Sequence, residues 1–240
     1  MSGLDRRALG VLGVGHLSAD FCQGALPALL PFLAAERGWS YGALGALMLA
    51  SSVGSSIVQP LFGLASDRIA RPWFMPLGVL TAGLGLAAVG LMSSYPLTAL
   101  AVAVGGLGVA AFHPEAARYA NLASGARRGR GMSLFSLGGN AGFALGPALA
   151  TPLVLAFGLT GTLGLALLPA GAAVLTALNL NELRSTGSRD GVDQAGPPPR
   201  DRNAWGPFAR LAGVVGLRSA LYFGLQTLVP VYFVASAARA

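Results

Sequence analysis

Residues 8–35, ALGVLGVGHLSADFCQGALPALLPFLAA, form an apolar run that carries His16 and Asp20 in its middle. About 20 apolar residues rising about 1.5 Å each cross a hydrocarbon core of roughly 30 Å, so this run is long enough to span a bilayer. His16 and Asp20 are four apart and share one helix face. A carboxylate near the bilayer centre costs about 2.5–3.5 kcal/mol on insertion scales. Such a group is kept where it faces a partner or a water-filled cavity, and it marks an ion or proton path. The rest of the chain is therefore expected to build the cavity this face looks into.

The remainder fits that demand. Of 240 residues, 54% are hydrophobic and only 10% charged, whereas soluble domains carry about 25% charged residues. The mean hydropathy is +0.64. The apolar runs are continuous rather than alternating, which excludes a transmembrane β-barrel. The 35 glycines suit close helix packing in lipid. All of the positive charge behind the net +7 is arginine. These arginines sit between the apolar runs, so the positive-inside rule accounts for them and nucleic acid is not an expected partner. The single cysteine, Cys22, lies within the first run and reads as a small packing residue. Arg6 and Arg7 before an apolar run mimic a signal peptide, but the run is too long for one, and an uncleaved first span is expected.

Runs and breakers predict seven spans, near 8–35, 41–65, 73–93, 97–118, 132–157, 161–180 and 207–235. Residues 119–131 are predicted as a basic loop, and 181–205 as a polar, proline-rich linker. The expected domains are a six-helix unit over 1–180, the linker, and one further helix over 206–240. The N-terminus, the loops after the second and fourth spans and the linker side hold 13 arginines, against Arg37 and Arg239 opposite, with Arg218 inside a span. The N-terminus is thus expected in the cytoplasm, in a multi-pass plasma (inner) membrane protein. Six tightly connected spans, a long linker and a new span suggest two halves in parallel. Asp20, Gly24 and Pro31 in the first span are echoed by Arg218, Gly224 and Pro230 in the seventh. On this reading the second half stops after one helix.

The loop after the second span runs Gly63-Leu-Ala-Ser-Asp67-Arg68-Ile-Ala-Arg71. It resembles the signature loop of the major facilitator superfamily, with Ala70 in place of the second glycine. The resemblance implies a latch between two halves on the cytoplasmic side. In the fifth span, Gly138, Gly142 and Gly146 recur every four residues and are followed by Pro147. Such spacing makes a packing groove. Gly142-x-x-x-Gly146-Pro147 also resembles a motif of the superfamily's antiporters, although Ala150 and Thr151 stand where that motif has a glycine pair.

Three further strings resemble the fosmidomycin-resistance branch of that superfamily. They are His16-x-x-x-Asp20 with Gly24-Ala-Leu-Pro27, then Phe112-His113-Pro114-Glu115-Ala-Ala-Arg118, and Arg218-Ser-x-x-Tyr222-Phe223-Gly224 of the last span. The resemblance implies drug export driven by proton entry, with the proton gradient as coupling ion and no cofactor. The arginine common near the start of the superfamily's fourth helix is absent here, and Val102 falls about there.

At about 1.5 Å per residue, Asp20 and Arg218 lie near the midplane, His16 about 12 Å deep and His113 about 6–8 Å deep. Glu115 and Arg118 approach the interface. Asp20 is expected to exchange the proton, with His16 tuning it and Arg218 holding a substrate anion or Asp20 in alternation. His113 and Glu115 are expected to form a cytoplasmic proton or gate station, because histidine titrates near neutral pH and suits a proton relay. Ser52, Ser55, Ser56 and Gln59 make a polar stripe that, with Asn140 and Gln226, could line the path. Each group also has a structural alternative: interface charges for Glu115 and Arg118, a carbonyl-bonded helix-end ring for His113, a packed ring for His16.

Two readings follow. One is an all-α polytopic exporter, proton-coupled, acting on a small anionic or amphiphilic compound. The other is a non-transporting membrane half that needs a second half or a second copy. An intramembrane enzyme is excluded by the lack of HExxH, GxSxG or paired-cysteine motifs, and no metal site is expected from the local sequence.

Overall fold

The computed structural model describes residues 3–69, 72–189 and 205–237, with side chains left undescribed at 66–69, 186–189 and 222–237. Every regular element among the described residues is helical. The chain divides into a unit over 1–194 and a smaller one over 195–240.

The first unit begins with α1 (Arg6–Arg37). Asp5 caps it, its carboxylate accepting from the backbone N–H of Ala8 at 3.0 Å. Gly38, at φ 67, ends it in the left-handed conformation that glycine adopts without penalty. The second span is interrupted. α2 (Tyr41–Ser52) passes through a π-turn at Val53–Ile57 into α3 (Gln59–Ile69). Pro60 and two small residues explain the break, for Gly54 there approaches the backbone of Ala103 and Gly106 too closely to carry a larger side chain. After α4 (Phe74–Leu91) comes α5 (Tyr95–Ala123), then α6 (Arg128–Phe157).

Among the described residues, five helical stretches are long and apolar enough to cross a membrane, the last of them, Gly125–Leu178, covering α6 and α7 (Leu167–Leu178). Six of the seven expected spans overlap these stretches, two of them, 73–93 and 161–180, running a residue or two beyond. The seventh lies on α9 (Trp205–Ala237), the helix of the second unit.

Three boundaries differ from expectation. The basic loop predicted over 119–131 is mostly helix: α5 runs on to Ala123, and only Gly125–Arg127 turns before α6 begins at Arg128. Residues 115–124 hold no glycine or proline, so nothing stops the helix until Gly125. The sixth span begins as a 3-10 helix, Gly158–Ala166. Gly158, Gly161 and Gly164 recur every three residues, the period of that helix. Finally, the segment predicted as linker from 181 starts as helix, α8 (Leu180–Arg189), with Leu180 and Leu183 buried and Glu182 paired to Arg7 at 3.1 Å.

The α1–α6 seam explains the glycines of the fifth span. A side chain at Gly138 would strike the backbone of Gly13; one at Gly142 would strike Leu17; one at Gly146 would strike Gly24 and Ala25. Small residues let the two helices meet backbone to backbone.

Candidate functional site

The N–H of Asp5 donates to the carbonyl of Ala123 at 2.8 Å, which ties the start of α1 to the end of α5. His16 lies ten residues in from the first end and His113 ten residues back from the second. At the same rise per residue they sit at the same level, and there they meet. Asp20 stands between them. Its Oδ2 is 3.3 Å from His16 Nε2 and its Oδ1 is 3.1 Å from His113 Nε2. The rings are edge to face, with centroids 5.1 Å apart.

The far side of each ring is anchored. His16 Nδ1 donates to the carbonyl of Phe135 on α6 at 2.9 Å, and the Phe135 ring stacks on His16 at 4.1 Å between centroids. His113 Nδ1 donates to the carbonyl of Val109 on its own helix, also at 2.9 Å. Gly139 closes the top: a Cβ there would lie 2.5 Å from both Asp20 Oδ2 and His16 Nε2, so only glycine lets α6 cover the pair. The three side chains are 12–20% exposed, enough to exchange with water and too little to be solvated freely. Their reactive atoms all lie within 4.8 Å of one another, close enough to share one ion.

His113 therefore stands with His16 and Asp20. It lies about 15 Å in rather than the expected 6–8 Å, because α5 continues past residue 118 to Ala123. Glu115 is not an interface charge. It is wholly buried, and Arg118 Nη1 approaches its Oε1 at 3.7 Å.

Of the cytoplasmic-loop residues, Gly63 lies on α3, where a Cβ would come within 3.9 Å of Pro114. Asp67 and Arg68 lie on α3 at positions whose side chains are outside the described ones, and Arg71 lies outside the described residues. Arg218 lies on α9 in the second unit; Gln226 is on the same helix, with its side chain outside the described ones. A small cleft lined by Cys22, Gln23, Ser51, Val102 and Val109 has room for about one water, at about 20 Å³, and is too small for a substrate as it stands.

Membrane-spanning helices, a paired first unit and a buried ionisable trio define a polytopic transporter-like protein. The chain belongs to the major facilitator superfamily: a family model described as Major Facilitator Superfamily matches residues 12–238. It is 36% identical over 150 residues to the fosmidomycin resistance protein of Escherichia coli strain K12, a match covering 62% of this chain and 37% of that protein. It is 30% identical over 164 residues to YfnC, an uncharacterized MFS-type transporter of Bacillus subtilis strain 168, covering 68% and 40%. The matches thus span about two fifths of the length of these curated relatives. A crystal structure of tetrameric PepTSo2 superposes on 98% of this chain and 52% of its own, with a TM-score of 0.61 at 14% identity, a likeness of fold alone.

Proposed function

We propose that this chain serves a proton-coupled exporter of a small anionic or amphiphilic compound in the inner membrane, with its N-terminus in the cytoplasm. The observation that carries the reading is Asp20 held between two imidazole Nε2 atoms at 3.1 and 3.3 Å inside a transporter fold. A buried carboxylate flanked by groups that titrate near neutral pH is suited to take up a proton on one side and release it on the other. The name of the Escherichia coli relative supports efflux, since export confers resistance. Arg218 is the candidate counter-charge for an anionic substrate, and the segment with Asp67, Arg68 and Arg71 the candidate latch. Arginine suits both tasks, because its fork of donors matches carboxylate and phosphate geometry.

Inside-out vesicles carrying the chain provide the test, with fosmidomycin as the probe compound. An acid interior should drive accumulation, and collapse of the pH gradient should stop it. Asp20→Asn should insert normally and lose gradient-driven accumulation at least tenfold. Accumulation at the native level by that variant removes the mechanism.

A further inference from the structure

The two carbonyl bonds fix how many protons the trio can hold. A backbone carbonyl has no hydrogen to give, so Nδ1 of His16, facing the Phe135 oxygen, and Nδ1 of His113, facing the Val109 oxygen, both carry one. In its neutral form each ring then presents a bare Nε2 lone pair toward Asp20. An ionised carboxylate also only accepts. Neither the 3.3 Å contact nor the 3.1 Å contact is a hydrogen bond until a proton enters it.

We infer that His16, Asp20 and His113 form a two-proton site that exchanges one proton and keeps the other. This deepens the proposed function and rests on it for the link to transport. With two protons, both contacts are bridged and the group carries one positive charge, wherever each proton is drawn. Loss of one proton to water leaves a neutral group with one contact bridged and one open. Loss of both would leave a partly buried anion with two unbridged contacts. Unbridged buried acceptors are costly, and an unpaired buried carboxylate more so. The working exchange is therefore between the two-proton and the one-proton forms.

Among the described side chains, the charged contacts of the group are those within the trio itself. α4 and α7, packed against α1, carry no titratable side chain, and α6 brings only the Phe135 carbonyl and Gly139 to the group. On α1 itself the buried Cys22 thiol lies two residues on, and Arg7 is engaged with Glu182 at the helix start. On α5, Arg118 is turned to Glu115, and α2 contributes only Tyr41, at its outer end.

Only two histidines occur in the chain, so nitrogen-15 NMR of histidine-labelled protein in lipid nanodiscs reads the site directly. His113→Gln assigns the two rings, or His16→Gln where the first variant fails to insert. Between about pH 6 and 8 the neutral ring should always be the Nδ1–H form, and at least one Nε2 should remain protonated or bonded to Asp20. A neutral ring in the Nε2–H form overturns the inference, and so do two bare Nε2 atoms at once. These spectra are independent of transport. The expected spectra with full transport by Asp20→Asn would support the two-proton site and remove its coupling role, whereas lost transport with the wrong tautomer would do the reverse.

Discussion

Two carboxylates lie inside the same helical unit, Asp20 partly and Glu115 wholly buried, and they are held differently. Asp20 faces imidazoles from two helices, α1 and α5, under a lid from a third. Glu115 faces a guanidinium three residues along its own helix. Arginine keeps its proton at any pH a cell meets, while histidine changes charge near neutrality. The partner therefore decides what a buried carboxylate is for. Beside arginine it is a fixed charge. Beside histidine, on the function proposed above, it is a place where a proton enters and leaves. Location adds to this: the contacts of the Asp20 group join α1, α5 and α6, whereas Arg118 sits on the same helix as Glu115.

The largest expected effect that separates the two sites is on stability. Glu115→Gln strands Arg118 beside a neutral amide, and removing one partner of a buried pair costs about 3–5 kcal/mol. Arg118 is partly exposed and can turn toward water, which places the expectation at the lower end of that range. Denaturation in detergent micelles should show the loss, while the protein that remains folded keeps the native pH dependence of transport. A shifted pH profile in Glu115→Gln would make Glu115 part of the proton site and dissolve the contrast.

Part of this arrangement was legible in the chain itself. His16 and Asp20 announce each other by a four-residue spacing within an apolar run, and apolar runs with breakers give the spans. The position of His113 was not legible in the same way. Its depth depends on where α5 ends, and Arg118, Arg127, Arg128 and Arg130 together make the segment look like a loop. Charge marks the membrane boundary; it does not stop a helix. The absence of glycine and proline from 115 to 124 was the available signal, and it outweighs polarity because helix propagation depends on backbone freedom. The tautomers could not be read at all, since they depend on carbonyls of Phe135 and Val109 that any residue at those positions would supply. The glycines of α6 were legible as a packing stripe, but not Gly139, which falls between the members of the four-residue repeat and alone touches the trio.

A smaller effect tests whether the lid matters to the proton site or only to packing. Gly139→Ala puts a methyl against Asp20 Oδ2 and His16 Nε2; Gly138→Ala puts one against the backbone of Gly13. Both overpack the same seam, at about 1–3 kcal/mol each. Only the first should alter the pH dependence of gradient-driven accumulation, because only it displaces the trio. Equal pH profiles for the two variants would reduce Gly139 to one more packing glycine.

The smallest expected effect tests the contrast in the opposite direction, by giving Glu115 a partner of the other kind. Arg118→His keeps a cation three residues from Glu115 only while the imidazole is protonated. Its attraction to the carboxylate is then present at about pH 5.5 and lost by about pH 8. Stability of the variant should fall as pH rises across that window, by about 1 kcal/mol, which in a chain of this size is roughly 2–4 °C in Tm. The native protein should show no such slope from this pair, because a guanidinium stays charged across that range. The comparison of slopes is made on one position and one helix, so burial and depth are held constant and only the partner changes. A flat profile in Arg118→His would mean that pairing with histidine alone does not make a buried carboxylate responsive, and that the setting of Asp20 between α1 and α5 matters as well.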